Sequence, residues 1–212
     1  MTTKLLPQII FASSLLVAGF GCLVIEARAL IAGSLPGTDV AATAPLGLAL
    51  TTRHEALFRC DEAMAEPLFS MQGTIPRETT ASYCWVLAQR VLRDAPSDGF
   101  AHFIAAASAD VTGDADRMTY HLTAAQSYAP YEGWLAERRV LLVARSDPAR
   151  WDSFLPADIA VLMTTQTGAE LLADLLTADL PLRDAILAEA EQASTLDRQR
   201  LSHILTRKIG GA

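Results

Sequence analysis

Residues 92–130 read LRDAPSDGFAHFIAAASADVTGDADRMTYHLTAAQSYAP, and the dipeptide Ala-Pro occurs in them twice, at Ala95-Pro96 and at Ala129-Pro130. A residue that precedes proline is pushed out of the α region, so each dipeptide marks the end of a helix. Ser97 or Asp98 is placed to cap a helix over GFAHFIAAASADV, TGDAD reads as a turn, and ADRMTYHLTAAQSYA runs to the second proline. The prolines lie 34 positions apart (130 − 96). Laying the preceding arm on this one aligns Cys84 with Met118, Ala88 with Leu122 and Val91 with Ala125, apolar each time at i, i+4 and i+7. The stretch therefore predicts antiparallel helical hairpins that recur along the chain.

Thirty-four residues is the length of a tetratricopeptide unit, in which two antiparallel helices are closed by a proline. With Gly99 as the first place, Ala106 takes the small eighth place and Gly113 the turn. Met118, Leu122 and Ala125 take the packing places of the second helix, and Pro130 closes the unit. Residues 99–130 thus resemble a tetratricopeptide repeat, and the likeness extends over residues 82–145. It departs from the family at His102, Ala105 and Ala109, where a large aromatic, a leucine and a tyrosine are usual. In such arrays the first helices of successive units line a concave binding surface. The resemblance accordingly implies partner-binding roles for Phe100, Phe103 and Asp110, and for Trp134 and Glu137 of the next first helix, with Tyr131 and Glu132 at the junction. The same aromatics also fit a core packed beneath the C-terminal helices. Residues 101–140 are similar, more weakly, to small anchored helical proteins found with bacterial surface-polysaccharide genes, which implies polysaccharide assembly or export as a setting.

Leu5 to Ile25, LLPQIIFASSLLVAGFGCLVI, carries no charge. As a helix at about 1.5 Å per residue it reaches roughly 30 Å, the thickness of a bilayer's hydrocarbon, so residues 1–30 read as a single transmembrane anchor. A cleaved signal peptide is the alternative, with Ala27-Arg28-Ala29 as the cleavage site, but its apolar region would be unusually long and Glu26 and Arg28 crowd that site. Lipidation at Cys22 lacks the aliphatic residue expected three positions earlier, where Gly19 stands. Lys4 and the amino terminus favour a cytoplasmic N-terminus, hence a periplasmic body on an inner-membrane protein. Cys60 and Cys84 fall in that body, and two readings stay open for them, a disulfide formed in an oxidising compartment and two small buried hydrophobes.

Residues 31–50 are small, rich in Gly and Pro, and read as a linker. From Thr51 onward helical periodicity dominates, broken at Pro67, Gly73 and Pro76, and no segment alternates with period two, so the predicted class is all-α. Residues 51–145 are assigned to the hairpins and 146–212 to a C-terminal helical cap, in which Gly168, Pro181 and Ser194 separate short helices. The last of these, LDRQRLSHILTRK, pairs an apolar face with Arg198, Arg200, Arg207 and Lys208. It reads either as a capping helix or as a contact for lipid headgroups.

A formal net charge of −7 argues against a nucleic-acid binder, which must neutralise phosphates with Lys and Arg. His54, His102, His121 and His203 show no metal-ligand spacing, and Cys60 sits beside Asp61 and Glu62, which disfavour a thiolate. No catalytic residue, metal or cofactor is therefore expected. The partners expected are the membrane and another protein of the cell envelope or of a membrane complex. An enzyme with an unrecognised site remains the contrasting class, and an accessory subunit packed through Ala18, Gly19 and Gly21 is a third.

Overall fold

The computed structural model describes residues 14, 18–25, 27, 50–65, 73–146, 151–178 and 182–210. Every regular element among them is a helix, so the fold is all-α. In chain order the helices after the N-terminal segment are α1 (Leu50–Ala65), α2 (Thr74–Asp94), α3 (Gly99–Val111), α4 (Ala115–Tyr128), α5 (Gly133–Arg145), α6 (Trp151–Met163), α7 (Gln166–Thr177), α8 (Arg183–Gln192) and α9 (Thr195–Gly210). Residues 18–25 are helical as well, but no helix among the described residues is long and apolar enough to cross a membrane. The expected anchor over residues 1–30 and the linker over 31–50 lie largely outside the described residues.

The chain divides into two compact units, Met1–Pro96 and Ser97–Ala212. In the first, α1 packs on α2 and buries Leu57, Cys60 and Met64, with Ala81, Cys84, Leu87, Ala88 and Val91 buried on α2. Cys60 and Cys84 are joined as a disulfide with their Cα atoms 5.7 Å apart. Pro76, expected as part of a break, instead sits in the first turn of α2. A proline is tolerated there because the N–H it lacks would have no acceptor within the helix.

The 34-residue period is visible in the backbone. Ala95 and Ala129 take nearly the same conformation, φ −136° and ψ 78° against φ −135° and ψ 57°. Each donates its N–H to the carbonyl four residues back, Ala95 to Val91 at 2.8 Å and Ala129 to Ala125 at 3.1 Å. The residues before the following helices match too, Asp98 at φ −72°, ψ 102° and Glu132 at φ −79°, ψ 96°. From these corners α3 and α5 start 34 residues apart (133 − 99), and α7 starts 33 residues after α5 (166 − 133). In the second unit α3 pairs with α4 and α5 with α6, while α3 touches α5 and α5 touches α7. The first helices of successive hairpins are therefore neighbours.

Local chemistry explains the corners. Asp98 accepts a hydrogen bond from the Ala101 N–H at 2.9 Å, a standard N-terminal cap. Gly113 supplies the left-handed turn between α3 and α4 at φ 72°. Within the second unit α6 packs closely on α5. Pro156 lies inside α6. It costs the helix one backbone donor, which burial of Phe154, Leu155, Ile159, Leu162 and Met163 outweighs.

Gly168, expected to separate two helices, is instead buried in the first turn of α7, where Thr165 caps its N–H. A Cβ at this position would stand 2.3 Å from the Leu162 carbonyl oxygen and 2.7 Å from the Leu162 Cα. Both are backbone atoms and cannot swing aside. Gly168→Ala is expected to destabilise the second unit by about 2–3 kcal/mol, measured by denaturant unfolding, the upper part of the range for overpacking.

Three of the four basic side chains of α9 reach polar groups on α6 or α7. Arg200 reaches the Met163 carbonyl at the end of α6, Arg207 pairs with Glu170 at 3.3 Å, and Lys208 pairs with Asp174, both acids on α7. Arg198 donates to the Glu191 carbonyl at 3.3 Å. These contacts fit the capping reading of the helix.

Candidate partner surface

Phe100 and Phe103, expected on an open groove, are buried, only 2% and 3% exposed. The reason lies in α3, where ten consecutive residues from Phe100 to Ala109 are buried and six of the ten are alanine or serine. Small side chains let neighbours close in on every side, and a helix enclosed all round offers no groove wall. Phe100 stacks on Phe103 with ring centroids 6.3 Å apart and meets the Trp134 ring edge-on at 5.0 Å. Asp110 is half-buried and faces Arg145 at 3.7 Å.

What remains outside is a short run at the corner between α4 and α5. Tyr131 is 87% exposed, Glu132 is exposed, and Trp134 is 40% exposed while its inner edge rests on Phe100. Glu137, one turn further along α5, is half-buried. Tyr128, at the end of α4, is also exposed, and its place on the surface was not evident from the sequence. The structure thus separates the seven expected residues into a buried pair, an ion-paired aspartate and an aromatic-acidic corner.

That corner is pinned from beneath by a clamp that sequence reasoning missed. Arg139 on α5 is 1% exposed and binds Asp158 on α6, 2% exposed, through two parallel bonds, Nε to Oδ2 at 2.8 Å and Nη2 to Oδ1 at 2.6 Å. The same guanidinium donates to the Ala129 carbonyl at 3.3 Å and approaches that of Ala125 at 3.5 Å, the closing carbonyls of α4. A fork-shaped cation at a helix C-terminus satisfies orphan acceptors and favours the dipole there. The clamp fixes the backbone immediately before Pro130 and Tyr131. The signal was present: each of these two charges falls at an apolar helical position, among Leu135, Ala136, Val140 and Val143 on one side and Leu155, Ile159 and Leu162 on the other.

Between α3 and α4 lies a second polar cluster. The Nδ1 atoms of His102 and His121 are 2.8 Å apart with both side chains buried, so one ring must donate and the other accept, in opposite tautomers. Tyr128 stacks on His102 at 5.5 Å and Tyr120 meets His121 edge-on at 4.9 Å. Burial, then the neighbouring His102 and Arg117 charges, push the His121 imidazole down to about 4. The unfolded chain takes up that proton near the ordinary 6.5, so stability is full above about pH 6.5 and declines as pH falls toward 4. The loss expected over this window is about 2–3 kcal/mol. His121→Asn, which keeps a hydrogen-bonding atom near the Nδ1 position but cannot titrate, is expected to flatten that slope in chemical denaturation followed between pH 4 and 7.

Among the described residues no three metal-ligating side chains converge. No family model matches the chain. Neither does any curated protein or solved structure.

Proposed function

We propose that this chain is a non-catalytic adaptor or assembly factor, anchored in the inner membrane by residues 1–30 with its helical body on the periplasmic side, and that surface-polysaccharide assembly or export is its setting. The observation that carries the proposal is the corner between α4 and α5, where Tyr131, Glu132 and Trp134 stand outward on a backbone held by the buried Arg139–Asp158 clamp. Aromatic anchors on a rigid support bind a partner with little ordering cost. The 34-residue repetition of corners, and the contacts from α3 to α5 to α7, support a tetratricopeptide-like stack. A disulfide between Cys60 and Cys84 supports an oxidising compartment. The anchor would confine the surface to the membrane face and so raise its effective concentration toward a membrane partner.

The test is affinity purification of the tagged full-length chain from native membranes, beside a Tyr131→Ala/Trp134→Ala variant. Recovery of the partner is expected to fall at least about tenfold if the two anchors contribute as interface aromatics do. Unchanged recovery from a folded variant would remove this surface from the account.

A second reading has its own observation. In the helical residues 18–25, Phe20 and Leu23 are each 70% exposed, and a Cβ on Gly19 or Gly21 would meet nothing within 4 Å. Small residues beside exposed apolar ones suit close packing of another helix in a bilayer, as in an accessory subunit of a larger membrane complex. Under this reading the partners survive Tyr131→Ala/Trp134→Ala and are lost when residues 1–30 are exchanged for an unrelated anchor.

A further inference from the structure

The first turns of α3 support the corner between α4 and α5 at three places. Gly99 packs so closely on Ala129 that a Cβ there would stand 2.7 Å from the Ala129 Cβ. The Phe100 ring carries Trp134, and the His102 ring carries Tyr128, the last residue of α4. The aromatic side chains of the corner therefore rest on α3, while the Arg139–Asp158 clamp holds its backbone from α5 and α6. The buried His102–His121 pair joins α3 to α4 at this support.

That pair has room for one further proton but not for two. The ring centroids are 5.1 Å apart and the Nδ1 atoms 2.8 Å, so the two nitrogens point at each other with one hydrogen between them. The donor ring can take a proton on its Nε2 and keep the bond. The acceptor ring can take one only on the Nδ1 that receives the bond, which sets two N–H groups and two positive charges face to face. Assigning His121 as the acceptor agrees with its imidazole being pushed down to about 4 by burial, then by the His102 and Arg117 charges, both positive. Tyr120 meets His121 edge-on from the same helix. Asp98, four residues before His102, accepts from the Ala101 N–H. On α5, the other helix in contact with α3, Arg139 and Arg145 are held by Asp158 and Asp110, and Glu137 and Arg138 follow one turn after Trp134.

We infer that the His102–His121 pair is an acid-operated latch: when both rings carry a proton, α3 and α4 part beside the corner, and Tyr128 and Trp134 lose the rings that support them. That this release governs partner binding rests on the function proposed above; the opening itself does not. The open form takes up the His121 proton near the ordinary 6.5 and the closed form only near 4, so opening is favoured as pH falls between the two, by about 300-fold in all. Parted helices of this length are marginal in water, and their amides then exchange with solvent.

The test is hydrogen exchange followed by mass spectrometry on the detergent-solubilised full-length chain between pH 7 and 4, with rates corrected for the intrinsic effect of pH. Residues 100–109 of α3 and 118–128 of α4 are expected to exchange about 300-fold faster at pH 4 than at pH 6.5, and well ahead of residues 169–176 of α7 throughout. In His121→Asn, which leaves Asp98 and Arg117 in place, that rise is expected to vanish. The latch is overturned by corrected wild-type rates that do not rise, or by an equal rise in His121→Asn. It is overturned as well by α3, α4 and α7 of the wild type exchanging together at every pH, which would mean that the whole unit unfolds at once. The comparison of helices within the wild type stands whether or not the variant folds.

Discussion

Arg139→Met is expected to destabilise the Ser97–Ala212 unit by about 3–5 kcal/mol, the cost of leaving one member of a buried ion pair without its partner. The physical reason is the surroundings of Asp158, which is 2% exposed on α6 and takes both of its short bonds from the guanidinium. Methionine fills much of the arginine's volume but offers no donor, so the carboxylate must take up a proton or drag water inside, and the Ala129 carbonyl loses its donor too. Against a total of about 5–15 kcal/mol for a domain, such a loss is large. The second half of the expectation separates this mechanism from simple misfit. Arg139→Met combined with Asp158→Leu is expected to recover most of the lost stability, since an apolar pair of similar volume carries no desolvation cost. Denaturant titration of the three proteins measures both. A double variant as unstable as the single one would mean that Asp158 is not the source of the penalty.

Cys60→Ala/Cys84→Ala is the second large effect. The disulfide closes a loop of 24 residues between helices α1 and α2, and loop-closure entropy assigns such a crosslink about 3 kcal/mol. Few helices share that task in the Met1–Pro96 unit, where only α1 and α2 are described after residue 49, so the crosslink matters more there than it would in a larger core. The expected result is earlier thermal unfolding and faster proteolysis between residues 50 and 96, with the α3–α9 unit unaffected. The same outcome should follow from reduction of the wild type by a phosphine. Equal melting of oxidised and reduced protein would show that α1 and α2 hold together without the bond.

How much of this could be read from the sequence depends on the kind of signal. The Ala-Pro dipeptides carried the fold because proline acts locally: it removes a donor and constrains its neighbour, so Ala95 and Ala129 had to end helices wherever the rest of the chain lay. Pro76 was misleading for a related reason. The effect of a proline depends on its place within a helix, and that place is set by where the helix begins, which periodicity locates only to within a turn. Gly168 shows the same ambiguity, a glycine chosen for a close backbone approach rather than for a break.

The site was less legible. Phe100 and Phe103 could be placed on α3 but not on its exposed side, because α3 has no exposed side between Phe100 and Ala109, and the alanines that signal close packing are the same alanines that a groove-lining helix could carry. The Arg139–Asp158 and His102–His121 pairs each span 19 positions and join different helices. Single residues of such pairs look out of place on an apolar stripe, and only the hairpin geometry shows what satisfies them. Tyr131 and Trp134 flank a corner, where a large side chain has few neighbours to cover it, and both are exposed.

The most direct test of the central claim is photo-crosslinking in cells, with a photoreactive phenylalanine analogue placed at Tyr131, at Trp134, or at Asp116, an exposed position in the first turn of α4, at the opposite end of that helix from the corner. The account predicts that positions 131 and 134 give the same discrete adduct with an envelope protein and that position 116 does not. Adducts of equal yield at all three positions, or none at 131 and 134 in cells where the partner co-purifies, would contradict it.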